Sequence, residues 1–177
     1  MKLSYLAAAA VLVLAGCEGA EITQPPITVT PKNPSAAVGL DVYGRARAQG
    51  SPVPRFRGQE SVQVRTRAQL EDGSNGELTG VPCTLDSGVY TASFTTPANI
   101  IVPDYGPDSP ALFVRCVHGE KSNSVTMQPV NLTAQARSAS AAGAGLVGAI
   151  VIGAVNEARR NNETDDFGYN PITVRLR

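Results

Sequence analysis

Between Ser61 and Val130 the chain alternates apolar and polar residues in short runs, and turn-forming clusters interrupt the runs at close intervals. No other feature restricts the possible fold as tightly. Val62, Val64, Thr66, Ala68 and Leu70 occupy one side of an extended segment, with Gln63, Arg65, Arg67 and Gln69 on the other. A period of two marks a strand with one buried face. Glu71-Asp72-Gly73-Ser74-Asn75-Gly76 predicts a turn, because Gly accepts positive φ while Asp and Asn bond their own backbone. Further strands are expected over 81–85, 89–95, 100–102, 111–118 and 124–128, with turns at Asp86-Ser87-Gly88, 103–110 and 119–123. Short strands at this spacing predict a mainly β chain folded as an antiparallel sandwich. Seventeen Gly and thirteen Pro, against four Phe, five Tyr and no Trp, agree with many turns and a modest core.

Three runs add a likeness to this pattern. They are Asp72-Gly73 with Gly80-Val81-Pro82-Cys83-Thr84-Leu85, then Gly88-Val89-Tyr90-Thr91-Ala92-Ser93-Phe94, then Leu112-Phe113-Val114-Arg115-Cys116. In them the segment 63–130 resembles the immunoglobulin-like modules of bacterial surface and envelope proteins. The resemblance implies an Ig-like sandwich over 61–130, although the chain has no Trp for its core.

The N-terminus carries an address. Lys2 precedes an apolar run from Leu6 to Leu14, too short for a helix across ~30 Å of hydrocarbon and suited to a secretory signal. Leu14-Ala15-Gly16-Cys17 resembles the lipobox of bacterial lipoproteins. That likeness implies cleavage after residue 16, a diacylglyceryl thioether on Cys17 and an acyl group on its new amine. Glu18, in place of the Asp that resembles an inner-membrane retention signal, favours the outer membrane facing the periplasm, with the inner membrane as the alternative. An ordinary signal peptide with a chance cysteine is the plainer reading. With Cys17 taken by lipid, Cys83 and Cys116 remain as an even pair in an exported chain. An oxidising compartment favours a disulfide between them, and loop entropy at that separation gives about 3–4 kcal/mol.

Residues 17–60 hold Pro25, Pro26, Pro31, Pro34, Pro52 and Pro54, which argue against any helix and for an extended tether that holds a domain off a bilayer. Ile27-Thr28-Val29-Thr30 is expected as at most an edge strand. Arg45/Arg47, Arg55/Arg57 and Arg65/Arg67 are pairs two apart, each on one face of an extended chain. Such a stripe suits anionic headgroups or an acidic partner; a solvated strand face is the plainer account.

After Pro129, Asn131 is expected to cap a helix running to about Arg160, with eighteen uncharged residues over 138–155. Ala141, Gly145, Ala149 and Gly153 recur every four residues and form a small-residue ridge. The segment loosely resembles the glycine-zipper helices of small outer-membrane lipoproteins. It reads as membrane-embedded or self-associating, with burial against the sandwich as the alternative. Residues 161–177 read as a polar loop and a terminal strand. If that strand joins the sandwich, the helix must return the chain to its starting side and cannot span.

Chemistry is sparse. The one histidine, His118, sits beside Gly119 at an expected turn, so a nucleophile–base pair and a His/Cys metal site are both unexpected. The acidic loop 161–166 lacks the glycine of a calcium loop, and Asn131-Leu132-Thr133 reads as a helix cap before it reads as a glycosylation site. A formal net charge of +0 gives no nucleic-acid footprint. The expected function is a non-catalytic envelope lipoprotein, structural or protein-binding, with no cofactor. The alternative is an oligomeric component of an envelope channel or secretion complex assembled through the Gly/Ala helix.

Overall fold

The computed structural model describes residues 19–140 and 159–177. The signal segment with Cys17, and the ridge residues Ala141, Gly145, Ala149 and Gly153, lie outside the described residues. In chain order the elements are β1 (Ile27–Thr28), β2 (Thr30–Pro31), α1 (Gly44–Ala48), β3 (Gly58–Gln69), β4 (Asn75–Leu78), β5 (Val81–Asp86), β6 (Tyr90–Thr96) and β7 (Ala98–Asp104). A 3₁₀ turn at Gly106–Asp108 leads to β8 (Leu112–His118), β9 (Lys121–Met127), β10 (Val130–Asn131), α2 (Leu132–Ser140), β11 (Phe167–Gly168) and β12 (Ile172–Arg175).

Two five-stranded sheets enclose one core, and β10 with β11 forms a small ribbon. One sheet runs β1-β7-β3-β12, with β4 also on β3; the other runs β2-β6-β5-β8-β9. Strand β3 is the spine, because its twelve residues outlast any one neighbour. It pairs with β7 from Gly58 to Val64 and with β4 from Thr66 to Gln69. At ~3.3 Å per residue it spans roughly 40 Å, which gives the sandwich a Gly58 end and a Gln69 end.

The period of two is realised as burial. Val62, Val64, Thr66 and Ala68 of β3 face inward with Val81, Cys83 and Leu85 of β5, Tyr90, Ala92 and Phe94 of β6, and Leu112, Val114 and Cys116 of β8. Thr66 is polar in this core, and its hydroxyl is satisfied by Leu78 O at 2.8 Å and by the Thr96 hydroxyl at 2.7 Å.

The described part of the tether is not extended and free. Its residues 27–31 supply an edge to both sheets: β1 pairs parallel with β7, and β2 pairs antiparallel with β6. Val29, between them, is 3% exposed and donates its N–H to Ile101 O at 3.1 Å. Proline at this edge removes a donor that no neighbour needed, so the prolines forbid helix here without forbidding pairing. Farther on, the proline-free stretch from Ser35 to Ser51 admits the short helix α1, against the expectation of no helix. The buried Asp41 and Val42 precede it, held by the Tyr105 hydroxyl, which accepts from Val42 N at 2.8 Å and donates to Asp41 Oδ1 at 3.1 Å.

Three other expectations shift. The first turn closes earlier than 71–76, because Asp72 Oδ1 accepts the Ser74 N–H at 2.9 Å and frees Asn75-Gly76 to begin β4. Strand β9 starts at Lys121, so 121–123 belong to a strand and not to a turn. The sheets are mostly antiparallel, but β1 on β7 and β12 on β3 are parallel, since both arrive by connections far longer than a hairpin. The terminal strand does join the sandwich.

Candidate functional site

The Gly58 end collects buried polar groups. Asn131 caps α2 through Oδ1, which accepts Ala134 N at 2.8 Å, and its Nδ2 donates to Asp165 Oδ2 at 2.8 Å. Asp165 also accepts from Asn161 N at 3.0 Å and from Arg137 Nη2 at 3.2 Å. Those hydrogen bonds, from Asn131 first, then Asn161, with the Arg137 charge behind them, hold its carboxyl below the usual range. The acidic loop therefore spends Asp165 on anchoring α2. Among the described residues no three His, Cys, Asp or Glu side chains converge as a metal set.

Glu60 is the unusual carboxyl at this end. Tyr169 N donates to its Oε2 at 3.3 Å, and Gly168 passes so close that a Cβ there would collide with it. Its Oε1 is buried without a hydrogen-bond partner. Burial, opposed by the Tyr169 N–H and reinforced by Asp104 and Asp166, raises it from 4.5 to about 7. An acid with a raised native pKa stabilises the fold while protonated. The loss therefore opens above pH 4.5 and is complete above about pH 7. For a partly solvated group this amounts to about 1–2 kcal/mol after screening. Urea unfolding should show Glu60→Gln matching the wild type near pH 4 and exceeding it near pH 8 by about that amount. Parallel pH profiles for the two proteins would refute the assignment.

The arginines expected to form one anionic-partner stripe are split by the fold. Arg45 and Arg47 lie on α1, where residues two apart point to different sides. Arg47 pairs with Asp41 at 3.1 Å. Arg57 turns inward, donating to Asp165 O at 3.2 Å and to Asn162 O, with Phe167 under its guanidinium at 5.9 Å. Arg65 bonds Glu77 Oε1 at 2.6 Å and Ala20 O at 2.9 Å. Arg45, Arg55 and Arg67 stay exposed. In the fold the six arginines do not lie along one extended face: Arg47, Arg57 and Arg65 are held by Asp41, Asp165 O and Glu77, and the other three stand apart from them.

What replaces it is a cleft at the Gln69 end. A hollow of about 700 Å³ is lined by Arg67, Ala68, Gln69, Asn75, Lys121, Arg175, Leu176 and Arg177. Four of these side chains are cationic and none is a carboxylate. Arg175 of β12 lies directly opposite Arg67 of β3 in the parallel register. Lys121 is held at the rim by donating to Gln69 O at 3.0 Å. Three acids of this end, Glu71, Asp72 and Glu120, line a neighbouring hollow with His118, across the Gln69–Lys121 ridge. Sequence reading missed the cleft because its cations come from β3, β9, β12 and the residues after β12, and only Arg67 belonged to a visible pattern. His118 ends β8 on the surface, at the β8–β9 hairpin.

The other expected residues fall as follows. Cys83 and Cys116 form a disulfide between directly opposed positions of β5 and β8, with Cα atoms 4.1 Å apart. The flanks of 141–158 stand together, since Arg137 Nη1 donates to Arg159 O at 3.5 Å and the Thr133 hydroxyl accepts Asp166 N at 2.9 Å. Among the described residues no helix is long and apolar enough to cross a membrane. At the N-terminal side, Ala20 N donates to Glu77 Oε2 at 2.8 Å, so the described chain enters beside β4.

Comparison with family models, with curated proteins and with solved structures found no match.

Proposed function

We propose that this chain is a non-catalytic, lipid-anchored module of the bacterial cell envelope, built on an Ig-like sandwich and acylated at Cys17. The observation that carries the reading is the Cys83–Cys116 disulfide. A bonded pair belongs to an oxidising compartment, which is where a chain with this signal segment would be delivered. The sheet order supports an Ig-like arrangement, with β3 and β7 in one sheet facing β5, β8 and β9 in the other. The bridge differs from the antibody type, because it joins neighbours within one sheet and not strands of two sheets.

The docked arm changes how the anchor works. Cys17 precedes Ala20 by three residues, about 10 Å of extended chain. Ala20 is fixed to Arg65 and Glu77. An acyl group on Cys17 therefore holds the β3–β4 side of the sandwich against the bilayer surface and leaves no long tether.

The test is the variant Cys17→Ser. The wild type is expected to fractionate with membranes and to carry added mass at residue 17, and the variant to appear in the soluble fraction without it. Equal membrane partitioning and equal mass would overturn the proposal.

A further inference from the structure

We propose that the cleft at the Gln69 end binds a phosphate-bearing headgroup of an anionic lipid through Arg67, Lys121, Arg175 and Arg177. The choice of a lipid as the source rests on the membrane-anchored reading above; the anion chemistry rests on the cleft alone.

The cleft carries an unbalanced charge. Arg67 and Arg175 face each other on adjacent parallel strands, a spacing of ~4.8 Å at which like charges repel. The acid nearest in register is Glu77, opposite Arg67 on β4. Both its oxygens are engaged, Oε1 by Arg65 at 2.6 Å and Oε2 by Ala20 N at 2.8 Å. Among the described residues, the side chains lining the cleft bring four cations and no carboxylate. A folded chain tolerates such a set most easily when an anion occupies it. Three guanidinium forks and an ammonium held at the rim match a phosphate's several acceptor oxygens. Asn75 and Gln69 add amide groups to the lining.

Location supplies the ligand's source. Arg65 and Glu77, which clamp Ala20, are the neighbours of Arg67 in the sheet. An anchor three residues before Ala20 therefore brings the cleft to the headgroup layer. The adjoining acidic hollow means that an anion must enter the cleft and cannot spread across this end of the sandwich. The formal net charge of +0 removes diffuse attraction as a competing cause.

The experiment uses the full chain, unacylated, so that its outcome is independent of whether Cys17 is modified in cells. Partitioning is measured on vesicles of phosphatidylglycerol mixed with phosphatidylcholine and on vesicles of phosphatidylcholine alone. The ratio of the two cancels the contribution of the apolar N-terminus. At ~1 kcal/mol per basic residue near an anionic surface, Arg67→Gln with Arg175→Gln should lower that ratio about 30-fold. Arg45→Gln with Arg55→Gln removes the same charge at the Gly58 end and should change it less than about 3-fold. Melting curves verify that both variants fold, as expected for exposed side chains. An unchanged ratio in the cleft variant, or an equal fall in both variants, overturns the proposal. In a second arm, glycerol phosphate is titrated while Arg Nε–H resonances are followed. A saturable shift that is lost in the cleft variant, with no vesicle preference, keeps the anion site and overturns the lipid as its source. No shift and no preference overturns both.

Discussion

Replacing both Cys83 and Cys116 by Ala lowers the stability of the domain by about 3–4 kcal/mol, from the loop-entropy relation at their separation. The two residues are separated by 33 positions and sit opposite one another on β5 and β8. The β5–β8 ladder survives without the bond, so the native fold persists and the main change is in the unfolded chain, which gains the freedom of an open loop. Both side chains are almost fully buried, and the lost sulfur contacts add to the cost. A drop of this size corresponds to a fall of about 10 °C in Tm for a domain of this length. Urea unfolding should also give a larger m-value, because the opened chain exposes more surface. A loss below about 1 kcal/mol would show that the unfolded state does not gain that freedom.

Val29→Asp is the second large effect, at about 3 kcal/mol, the cost of placing an unpaired carboxylate in a buried apolar site. On a free tether the same change would be silent. Val29 lies between β1 and β2, where the arm passes from one sheet edge to the other, and it belongs to the single core cluster. The substitution attacks both edges at once. Denaturant titration measures the global cost, and limited proteolysis between Thr30 and Gly58 reports whether the arm detaches first. A variant as stable and as resistant as the wild type would return the arm to the status of a spacer.

The strands that were legible beforehand are those with both faces declared. In β3, β5, β6 and β8 apolar residues alternate with polar ones. Glycines at positive φ close the intervening turns, as Gly73, Gly88 and Gly119 do. Register follows from that alternation, because a slip of one residue would exchange the faces. Strand β4 was hidden because Asn-Gly is a turn signal in most settings, and here Asp72 had already closed the turn at Ser74. The docking of 27–31 was hidden for a similar reason. Two-residue strands carry no measurable period, and proline argues only against helix and central-strand positions.

The arginines show a different kind of limit. Spacing two apart says that side chains share a face only if the backbone is extended. It cannot say whether Asp41, Glu77 or a carbonyl such as Asp165 O will meet them. The cleft cations could not be grouped in advance, since Arg67 and Arg175 become neighbours only when β12 returns parallel to β3. The expected packing ridge at Ala141, Gly145, Ala149 and Gly153 bears on neither point, because it lies outside the described residues.

Local order thus settled the β character, the inward residues, the main turns and the cysteine pair, because each depends on neighbours within a few residues or on compartment chemistry. Tertiary structure alone settled three other matters: that the proline-rich arm belongs to the core, that the flanks of the Gly/Ala segment stand side by side, and that four cations share one cleft. Each of those depends on which distant strands become adjacent, and adjacency is set by the packing of two sheets around a common core, which no short window of sequence contains.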